Sequence, residues 1–263
     1  YVTSLVQCEL CVVHCLSGSW KKRAHCNTST TFSFNSEGYV HMQLPVFKNK
    51  TKPNVLHMQL RFRSTLPDMV LYYRGTVENF VSLELVKGSL QAKVKSGKLL
   101  WASYPGPVND GEWHTVTVTM DERLVVAVKG PGCEEGCQVK NEGRNHLIFL
   151  QPSSFQQLYI GGAPQKYVGN LSSGKAFIGC MEDFQVDNKL LLPQDLSREE
   201  NSGLTLGCTK PDWCGDDPCM QRGRCVDMWV GASCQCHRPY YGEKCEKGRS
   251  KHLTSKECNS KCY

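Results

Sequence analysis

Apolar and polar residues alternate along the middle of the chain. Between residues 56 and 63, leucine, methionine and phenylalanine take every second position, with histidine, glutamine and arginine between them. A period of two places one side of an extended strand in a core and the other side in water. Further short strands are predicted at 81–85, 90–94, 115–120, 124–128, 147–150, 158–160 and 177–190. Many short strands without a sustained helical period predict an all-β sandwich, and Lys87-Gly88 predicts a hairpin turn.

Cysteine density separates two kinds of domain. Of 16 cysteines, four precede residue 27, the next 180 or so residues hold Cys133, Cys137, Cys180 and Cys208, and six more lie between Cys214 and Cys245, with Cys258 and Cys262 last. A long cysteine-poor stretch must be held by a core, whereas a short stretch with six cysteines must be cross-linked. About 6% cysteine indicates an oxidising, extracellular compartment in which most thiols form disulfides.

The positive charge lies mostly at the ends of the chain. The net charge is +6, from 31 basic and 25 acidic residues, and residues 246–263 and 1–29 contribute +3 and +2 of it. A nucleic-acid surface would need its basic residues on the folded body, so nucleic acid is not predicted as a partner. No apolar run approaches the roughly 20 residues of a membrane-spanning helix, so no transmembrane segment is predicted. We expect a soluble piece of a longer protein.

Motifs for catalysis are absent from the sequence. There is no G-x-S-x-G, no H-E-x-x-H and no glycine-rich phosphate loop. His57 and His114 are assigned to polar strand faces, and the acidic pairs Glu134-Glu135 and Glu199-Glu200 to solvated loops. We predict that the chain is not an enzyme and has no cofactor.

Two groups of cysteines have competing interpretations. The first could be a zinc site or a disulfide knot, and the oxidising compartment favours the knot because thiolates are lost to disulfides. Its members are Cys8, Cys11, His14, Cys15, His25 and Cys26. Cys133 and Cys137 flank three loop residues, a spacing that predicts a local disulfide. No metal site is therefore predicted.

Four phrases in order resemble the landmarks of the laminin G domain. They are DGEWHTVTV at 110–118, LYIGG at 158–162, FIGCMEDF at 177–184 and Gly207-Cys208. The resemblance covers roughly residues 29–208. It implies a jelly-roll sandwich of two curved sheets and a disulfide between Cys180 and Cys208.

The next segment, residues 210–246, resembles an EGF-like module. Its cysteines are spaced C-x4-C-x5-C-x8-C-x-C-x8-C, with Tyr241-Gly242 before the last one. Six cysteines allow fifteen pairings, so counting alone leaves the connectivity open. The resemblance implies the pairs Cys214–Cys225, Cys219–Cys234 and Cys236–Cys245. The remaining parts are a cysteine-rich segment, 1–28, and a basic flexible tail, 247–263.

The sequence that runs from the end of the first module into the second is most similar to the corresponding sequence in the Crumbs family. Asp212-Trp213-Cys214 and the run from Cys236 to Tyr240 carry this similarity, although neurexins, large cadherins and slit proteins also place an EGF-like repeat after a laminin G domain. The resemblance implies adhesion within the ectodomain of an apical polarity protein. The chain is then extracellular, secreted or part of an apical membrane protein. Its expected partner is an extracellular protein or a second copy of the chain, and loops 103–111 and 163–176 are the candidate contact surfaces.

The rival function is calcium-assisted glycan binding, as in lectin-like laminin G domains. Calcium needs six to eight oxygen ligands. Where the family has ligand side chains, this chain has Asn79 and Leu150, and in the EGF-like module Ala232 replaces an expected aromatic although Asp227 is present. Neither module is predicted to bind calcium, although glycan stays a possible partner.

Three N-x-S/T patterns mark acceptors for N-linked sugars. They begin at Asn27, Asn49 and Asn170, and an extracellular compartment makes them usable. We predict sugars on Asn49 and Asn170, and less access at Asn27 because Cys26 adjoins it. O-linked glucose and fucose are not expected, because Asp216 and Arg224 replace their acceptor hydroxyls.

Overall fold

The computed structural model describes residues 15–16, 19–20, 30–35, 38–44, 56–121, 123–141, 152–187, 189–192, 196–198 and 204–248. Several predictions from the sequence lie outside these residues. They concern the strand 147–150 with Leu150, the pair Glu199-Glu200, the tail beyond residue 248 with Cys258 and Cys262, the acceptors Asn27 and Asn49, and the side chains of Cys8, Cys11, His14, Cys15, His25 and Cys26.

The regular secondary structure of the described chain is almost all strand. In chain order the strands are β1 (Cys15–Leu16), β2 (Ser19–Trp20), β3 (Phe32–Phe34), β4 (Val40–Gln43), β5 (Leu56–Arg63), β6 (Met69–Gly75), β7 (Phe80–Val86), β8 (Ser89–Ser96), β9 (Lys98–Tyr104), β10 (His114–Met120), β11 (Leu124–Gly130), β12 (Cys133–Lys140), β13 (Gln157–Ile160), β14 (Gly179–Val186), β15 (Lys189–Leu190), β16 (Ser197–Arg198), β17 (Leu204–Leu206), β18 (Gly223–Asp227), β19 (Ala232–Cys236), β20 (Tyr240–Tyr241) and β21 (Lys247–Gly248). Two 3₁₀ helices span Pro152–Phe155 and Gln165–Asn170. Among the described residues, no helix is long and apolar enough to cross a membrane.

Two antiparallel sheets form the sandwich. One has the strand order β12-β11-β10-β5-β14-β3-β17, with β15 beside β14, and the other has the order β16-β4-β13-β6-β7-β8-β9. The predicted hairpin is present, because β7 pairs with β8 around Lys87-Gly88. Lys87 and Gly88 both have positive φ, which a tight hairpin turn requires. The all-β sandwich predicted from the alternation is confirmed.

The core lies between the sheets, where the inward positions of both meet. Burial along β5 alternates strictly, with Leu56, Met58, Leu60 and Phe62 inside. At one end of the core, the ring of Phe177 packs edge-to-face on those of Phe34 and Phe62, with centroids 5.8 and 6.3 Å apart. Edge-to-face packing adds attraction between the rings to the burial of their apolar surface.

One side chain was assigned to the wrong face of its strand. His114 was expected to be solvated, but it is 1% exposed and has the inward parity of Val116 and Val118 on β10. Its Nε2–H donates to Oδ1 of Asp110 at 2.9 Å. That bond supplies a partner for a polar ring at a core position, so the polarity of histidine was a poor guide to its exposure.

The EGF-like module has almost no core. Strands β18 and β19 form its hairpin, and β20 and β21 form a second small pair. Between residues 214 and 245 the buried residues are Cys219, Trp229 and Cys245. Cross-links therefore have to replace apolar packing in this module.

Candidate functional site

Five disulfides join the same cysteines that the sequence analysis paired. Cys133–Cys137 lies within β12, so these cysteines and the Glu134-Glu135 pair between them are on a strand and not in the predicted loop, and Cys180–Cys208 ties β14 to the chain after β17. The EGF-like module carries the other three, which are Cys214–Cys225, Cys219–Cys234 and Cys236–Cys245. Their presence in the secreted chain stays a prediction that peptide mapping can test.

Loop 163–176, a candidate contact surface, lies over an aromatic layer on the outer face of one sheet. Leu158 and Ile160 of β13 point into the core, so Tyr159 between them points outward. There it joins Tyr73 of β6, and the loop adds Tyr167, whose ring stacks on that of Tyr73 at 4.7 Å. This cover buries both faces of β6, and the loop is therefore packed in place on the sheet.

A buried glutamate forms hydrogen bonds with the C-terminal part of loop 163–176. Glu84 of β7 is fully buried, and its Oε2 accepts hydrogen bonds from the backbone N–H groups of Ser172 and Ser173 at 2.6 and 3.1 Å. Nζ of Lys93 lies 3.2 Å from its other oxygen. A buried carboxylate needs such partners, so the loop and the glutamate stabilise each other.

Asn170 lies in this loop and has a structural role. Its Nδ2 donates to Oη of Tyr73 and to the carbonyl of Val77, both at 3.0 Å. A sugar attached to Nδ2 would replace one of the two N–H bonds. Glycosylation of Asn170 and the full pair of hydrogen bonds therefore exclude each other.

The turn from Thr76 to Asn79 lies where calcium ligands would be expected from the laminin G resemblance. Three of its four carbonyl oxygens already accept protein hydrogen bonds: Thr76 O from Oη of Tyr73 at 2.7 Å, Val77 O from Asn170, and Asn79 O from the Thr76 N–H at 2.7 Å. Burial raises the pKa of Tyr73, so its phenol stays neutral and can donate. The nearby Glu78 is exposed and lies 3.5 Å from Nζ of Lys95. These residues do not fit a calcium ion, which needs free oxygen ligands.

Asp227, the acidic residue at the central calcium-ligand position of the EGF-like module, forms contacts within the protein. Asp227 lies 3.1 Å from Nζ of Lys210, and its Oδ1 accepts a hydrogen bond from the backbone N–H of Trp229. Over the described part of the chain, no group of three His, Cys, Asp or Glu side chains could hold a metal.

Loop 103–111, the second candidate surface, is also held by hydrogen bonds. Gly111 N–H donates to Ser64 O and Val108 N–H to Gly88 O, each at 3.0 Å. Partial burial opposes ionisation of Asp110, but hydrogen bonds from His114 and the Glu112 N–H outweigh it and leave the pKa of Asp110 below its ordinary value. Near its end, loop 103–111 is therefore held to β10 by the charged carboxylate of Asp110, which accepts a hydrogen bond from His114.

The contact between the two modules centres on Trp229, at the tip of the β18–β19 hairpin. Trp229 is 4% exposed and lies near two cations, with its ring centroid 5.7 Å from the Arg63 guanidinium and 5.5 Å from Nζ of Lys210. Thr65 Oγ1 donates to Met228 O at 2.7 Å, and Trp213 Nε1 donates to Trp229 O at 3.0 Å. We call this contact the junction.

Sequence reasoning did not identify the junction. The available signal was the apolar run Met228-Trp229-Val230 at a hairpin tip, in a module too small to bury it alone. The structure adds its partner, the cationic end of β5, which the sequence could not place beside it.

Comparisons with known proteins agree with both modules. A laminin G domain family model matches residues 62–189, and an EGF-like domain model matches residues 214–244. Mouse protein crumbs homolog 1 is 32% identical over 232 residues, covering 84% of this chain and 16% of that protein. Human protein crumbs homolog 2 is 31% identical over 242 residues, covering 89% and 17%. The chain therefore spans about a sixth of the length of these relatives.

Solved structures support the fold. The LG1-3 region of the laminin alpha2 chain superposes with a TM-score of 0.58 at 18% identity, over 75% of this chain and 38% of that one. Domains LG4-5 of the mouse laminin alpha1 chain give 0.54 at 19% identity, over 78% and 52%. At these identities the similarity concerns the fold alone.

Proposed function

We propose that this chain, which consists of a laminin G domain joined to an EGF-like domain and is similar to the Crumbs homologues, is an extracellular adhesion module of a Crumbs-like ectodomain. Its role is contact with protein on a neighbouring surface, in support of apical–basal polarity, and it is non-enzymatic. It acts either as a secreted fragment or within an apical membrane protein.

The junction is the observation that carries this proposal. Trp229 is buried beside Arg63 of the sandwich and Lys210 of its own module, a contact that restricts the angle between the two modules. A surface that is ordered before it binds loses less conformational entropy on association. The fastened loops 103–111 and 163–176 extend the same preorganisation to the sandwich.

A cell-adhesion assay tests the proposal. The full chain is displayed through a membrane anchor on cells that do not adhere to one another, and these cells are mixed with bare cells and with polarised epithelial cells. We expect the displaying cells to adhere to each other or to the epithelial cells. Adhesion no greater than that of bare cells in both mixtures would overturn the proposal.

The junction supplies a matched control in that assay. The Trp229→Ala chain keeps the sandwich and the three disulfides of the EGF-like module but loses the fixed angle between them. We expect weaker adhesion at equal surface expression. The polarity role is tested separately, by adding soluble chain to epithelial cysts and measuring the fraction that form a single lumen, which we expect to fall.

Calcium distinguishes the rival lectin-like function. Three of the four carbonyl oxygens of the 76–79 turn accept hydrogen bonds from protein donors, so we expect adhesion to persist when calcium is chelated. Calorimetric titration of calcium, with and without an acidic glycan, should give a flat trace. A micromolar calcium isotherm that depends on the glycan would favour the lectin.

A further inference from the structure

Over the residues that the structure describes, the two sheets of the sandwich have four edges, and natural proteins protect such edges from pairing with other chains. In the described residues, β16 and β17 are protected by their length, at two and three residues. The β12 edge is longer, but it carries Glu134 and Glu135, an internal disulfide and a shift in register against β11. Short strands, charges and bulges are the common means of protection.

The fourth edge, β9, has one of these protections, the charge of Lys98 at its first position, but it has neither a short length nor a bulge. It runs for seven residues, Lys98–Tyr104, without proline and pairs with β8 in unbroken register. No described strand pairs with its other side. A row of backbone donors and acceptors is therefore open for pairing with another strand.

The side chains on this edge are apolar and exposed. Leu99 and Trp101 share the outer face of β9 and are 50% and 58% exposed. Leu100 and Ala102, which alternate with them along the strand, are in the core. An exposed indole beside an exposed leucine on an open edge is a feature of surfaces that bind protein.

The charges beside this edge are positive. A groove of about 410 Å³ separates β9 from the end of β12, and its lining includes Lys98 and Lys140 but no aspartate or glutamate. Neither ammonium group has an ion pair within the described residues. A carboxylate-bearing partner would complement them.

These features favour an acidic strand over a second copy of the chain. The β9 segment KLLWASY contains no acid, so an antiparallel second copy would set Lys98 opposite Tyr104 without a counter-charge, and a parallel copy in register would set Lys98 opposite Lys98. Like charges across a strand pair are destabilising. The open backbone row favours a peptide over an acidic glycan, because a peptide can extend the ladder of hydrogen bonds.

We propose that the β9 edge binds an extended acidic peptide segment of a partner protein, which adds to the sheet as an eighth strand. Apolar side chains of the partner would pack on Leu99 and Trp101, and its carboxylates would reach Lys98 and Lys140. This inference rests on the proposed function, recognition of another protein, and assigns it a surface and a partner chemistry.

The test is a selection of displayed random decapeptides on the full chain, followed by binding of the selected peptides as synthetic copies. We expect aspartate or glutamate alternating with apolar residues. Trp101→Thr, which keeps β propensity, should weaken binding at least tenfold, and so should the pair Lys98→Glu and Lys140→Glu. N-methylation of alternate peptide bonds should abolish binding in one register and spare it in the other, because only one set of N–H groups faces β9.

Leu206→Thr is the matched control, because Leu206 is an exposed leucine on the short β17 edge. It should change the affinity less than twofold, and near-UV circular dichroism checks that each variant is folded. The proposal is overturned if no peptide is selected, if selected peptides lack acids, or if they bind the Trp101→Thr chain equally well. Self-association of the chain that Trp101→Thr abolishes would also overturn it, in favour of a second copy.

The two proposals fail in different ways. If peptides bind β9 but displaying cells do not adhere, the edge is a peptide site and the adhesion proposal fails. If cells adhere but the peptide test fails, adhesion uses another surface.

Discussion

The sandwich and the EGF-like module reach a defined shape by different means. The sandwich encloses one continuous core of phenylalanine, leucine, valine and methionine between two sheets, whereas residues 214–245 bury two half-cystines and one tryptophan. The first is held mainly by burial of apolar surface and the second by cross-links that restrict its unfolded state. Each region should therefore unfold under a different treatment, the EGF-like module when disulfides are removed and the sandwich when its core is disrupted. Trp229 is the residue through which the EGF-like module is stabilised by the sandwich.

The largest effect is expected from removing one cross-link of the EGF-like module. Cys219→Ser with Cys234→Ser removes a disulfide of a kind that typically contributes about 2–5 kcal/mol in small secreted domains. Without a core in reserve, the module should unfold while the sandwich stays folded. Amide hydrogen exchange reports this as lost protection in β18 and β19 and retained protection in β5 and β10.

A second cysteine pair is the matched control. Cys133→Ser with Cys137→Ser opens a ring with a sequence separation of only 4, and closing a short loop restricts the unfolded chain least. We expect near-native protection throughout. Equal loss of protection in the sandwich and the module after the Cys219/Cys234 change would contradict the comparison.

The opposite stress is a cavity in the sandwich. Phe177→Ala removes the ring that packs on Phe34 and Phe62, and such changes in cores typically cost about 3–5 kcal/mol of unfolding free energy. Urea unfolding of the non-reduced protein should show the sandwich transition at lower urea, with the EGF-like disulfides intact. Leu206→Ala, at an exposed site, should cost less than about 0.5 kcal/mol.

The third prediction breaks the link between the regions. Trp229→Ala removes a buried ring that contacts two cations, and such contacts are worth up to about 2 kcal/mol each when desolvated. Both modules should stay folded, while the distribution of distances between spin labels on β8 and β20 should broaden. Trp213→Phe, which removes only the hydrogen bond to Trp229 O, should broaden it less. A distribution unchanged by Trp229→Ala would mean that other contacts fix the angle.

Local pattern was sufficient for the strands but not for their neighbours. The alternation at 56–63 and 81–94 identified β5, β7 and β8, because burial of one strand face makes apolar and polar residues alternate along the sequence. The error at His114 came from giving side-chain polarity more weight than strand parity. Position 114 has the same parity as Val116, and the hydrogen bond that the ring donates to Asp110 makes its burial tolerable.

The junction and the β9 edge could not be predicted from local pattern. Whether Leu99 and Trp101 are covered depends on which strand ends the sheet, which is decided by pairings between residues far apart in the chain. Likewise, Asn170 matched a glycosylation motif, but its bonds to Tyr73 and Val77 arise only when loop 163–176 packs on β6.

The fourth prediction concerns that loop. We expect Asn170 to be unmodified in the folded secreted chain, because a sugar would cost one of its two hydrogen bonds, about 1 kcal/mol. Glycopeptide mass spectrometry measures the occupancy. Asn170→Ala should lower the free energy of unfolding by about 1–3 kcal/mol and speed amide exchange at Ser172 and Ser173. Full occupancy together with slow exchange at these two residues would contradict the assigned role.

The smallest effect should come from the charge that anchors loop 103–111. The pKa of Asp110 is lower in the folded chain than in the unfolded one, because His114 and the Glu112 N–H stabilise its carboxylate against partial burial. Its contribution to stability is therefore present above the unfolded pKa of about 3.9 and is lost as pH falls through the lower folded pKa. Asp110→Asn keeps an oxygen acceptor for both hydrogen bonds and removes only the charge.

Thermal unfolding of the wild type and the Asp110→Asn variant between pH 2.5 and pH 6 measures that contribution. Because the side chain is 40% exposed, solvent screening should limit the difference to less than about 0.5 kcal/mol. The two melting curves should differ at pH 6 and converge as the pH falls through the lower folded pKa of Asp110, with the EGF-like module unaffected. If the difference between wild type and Asp110→Asn instead grows as the pH falls, burial destabilises the Asp110 carboxylate more than its hydrogen bonds stabilise it. Asp110 would then hold loop 103–111 through the geometry of its hydrogen bonds and not through its charge.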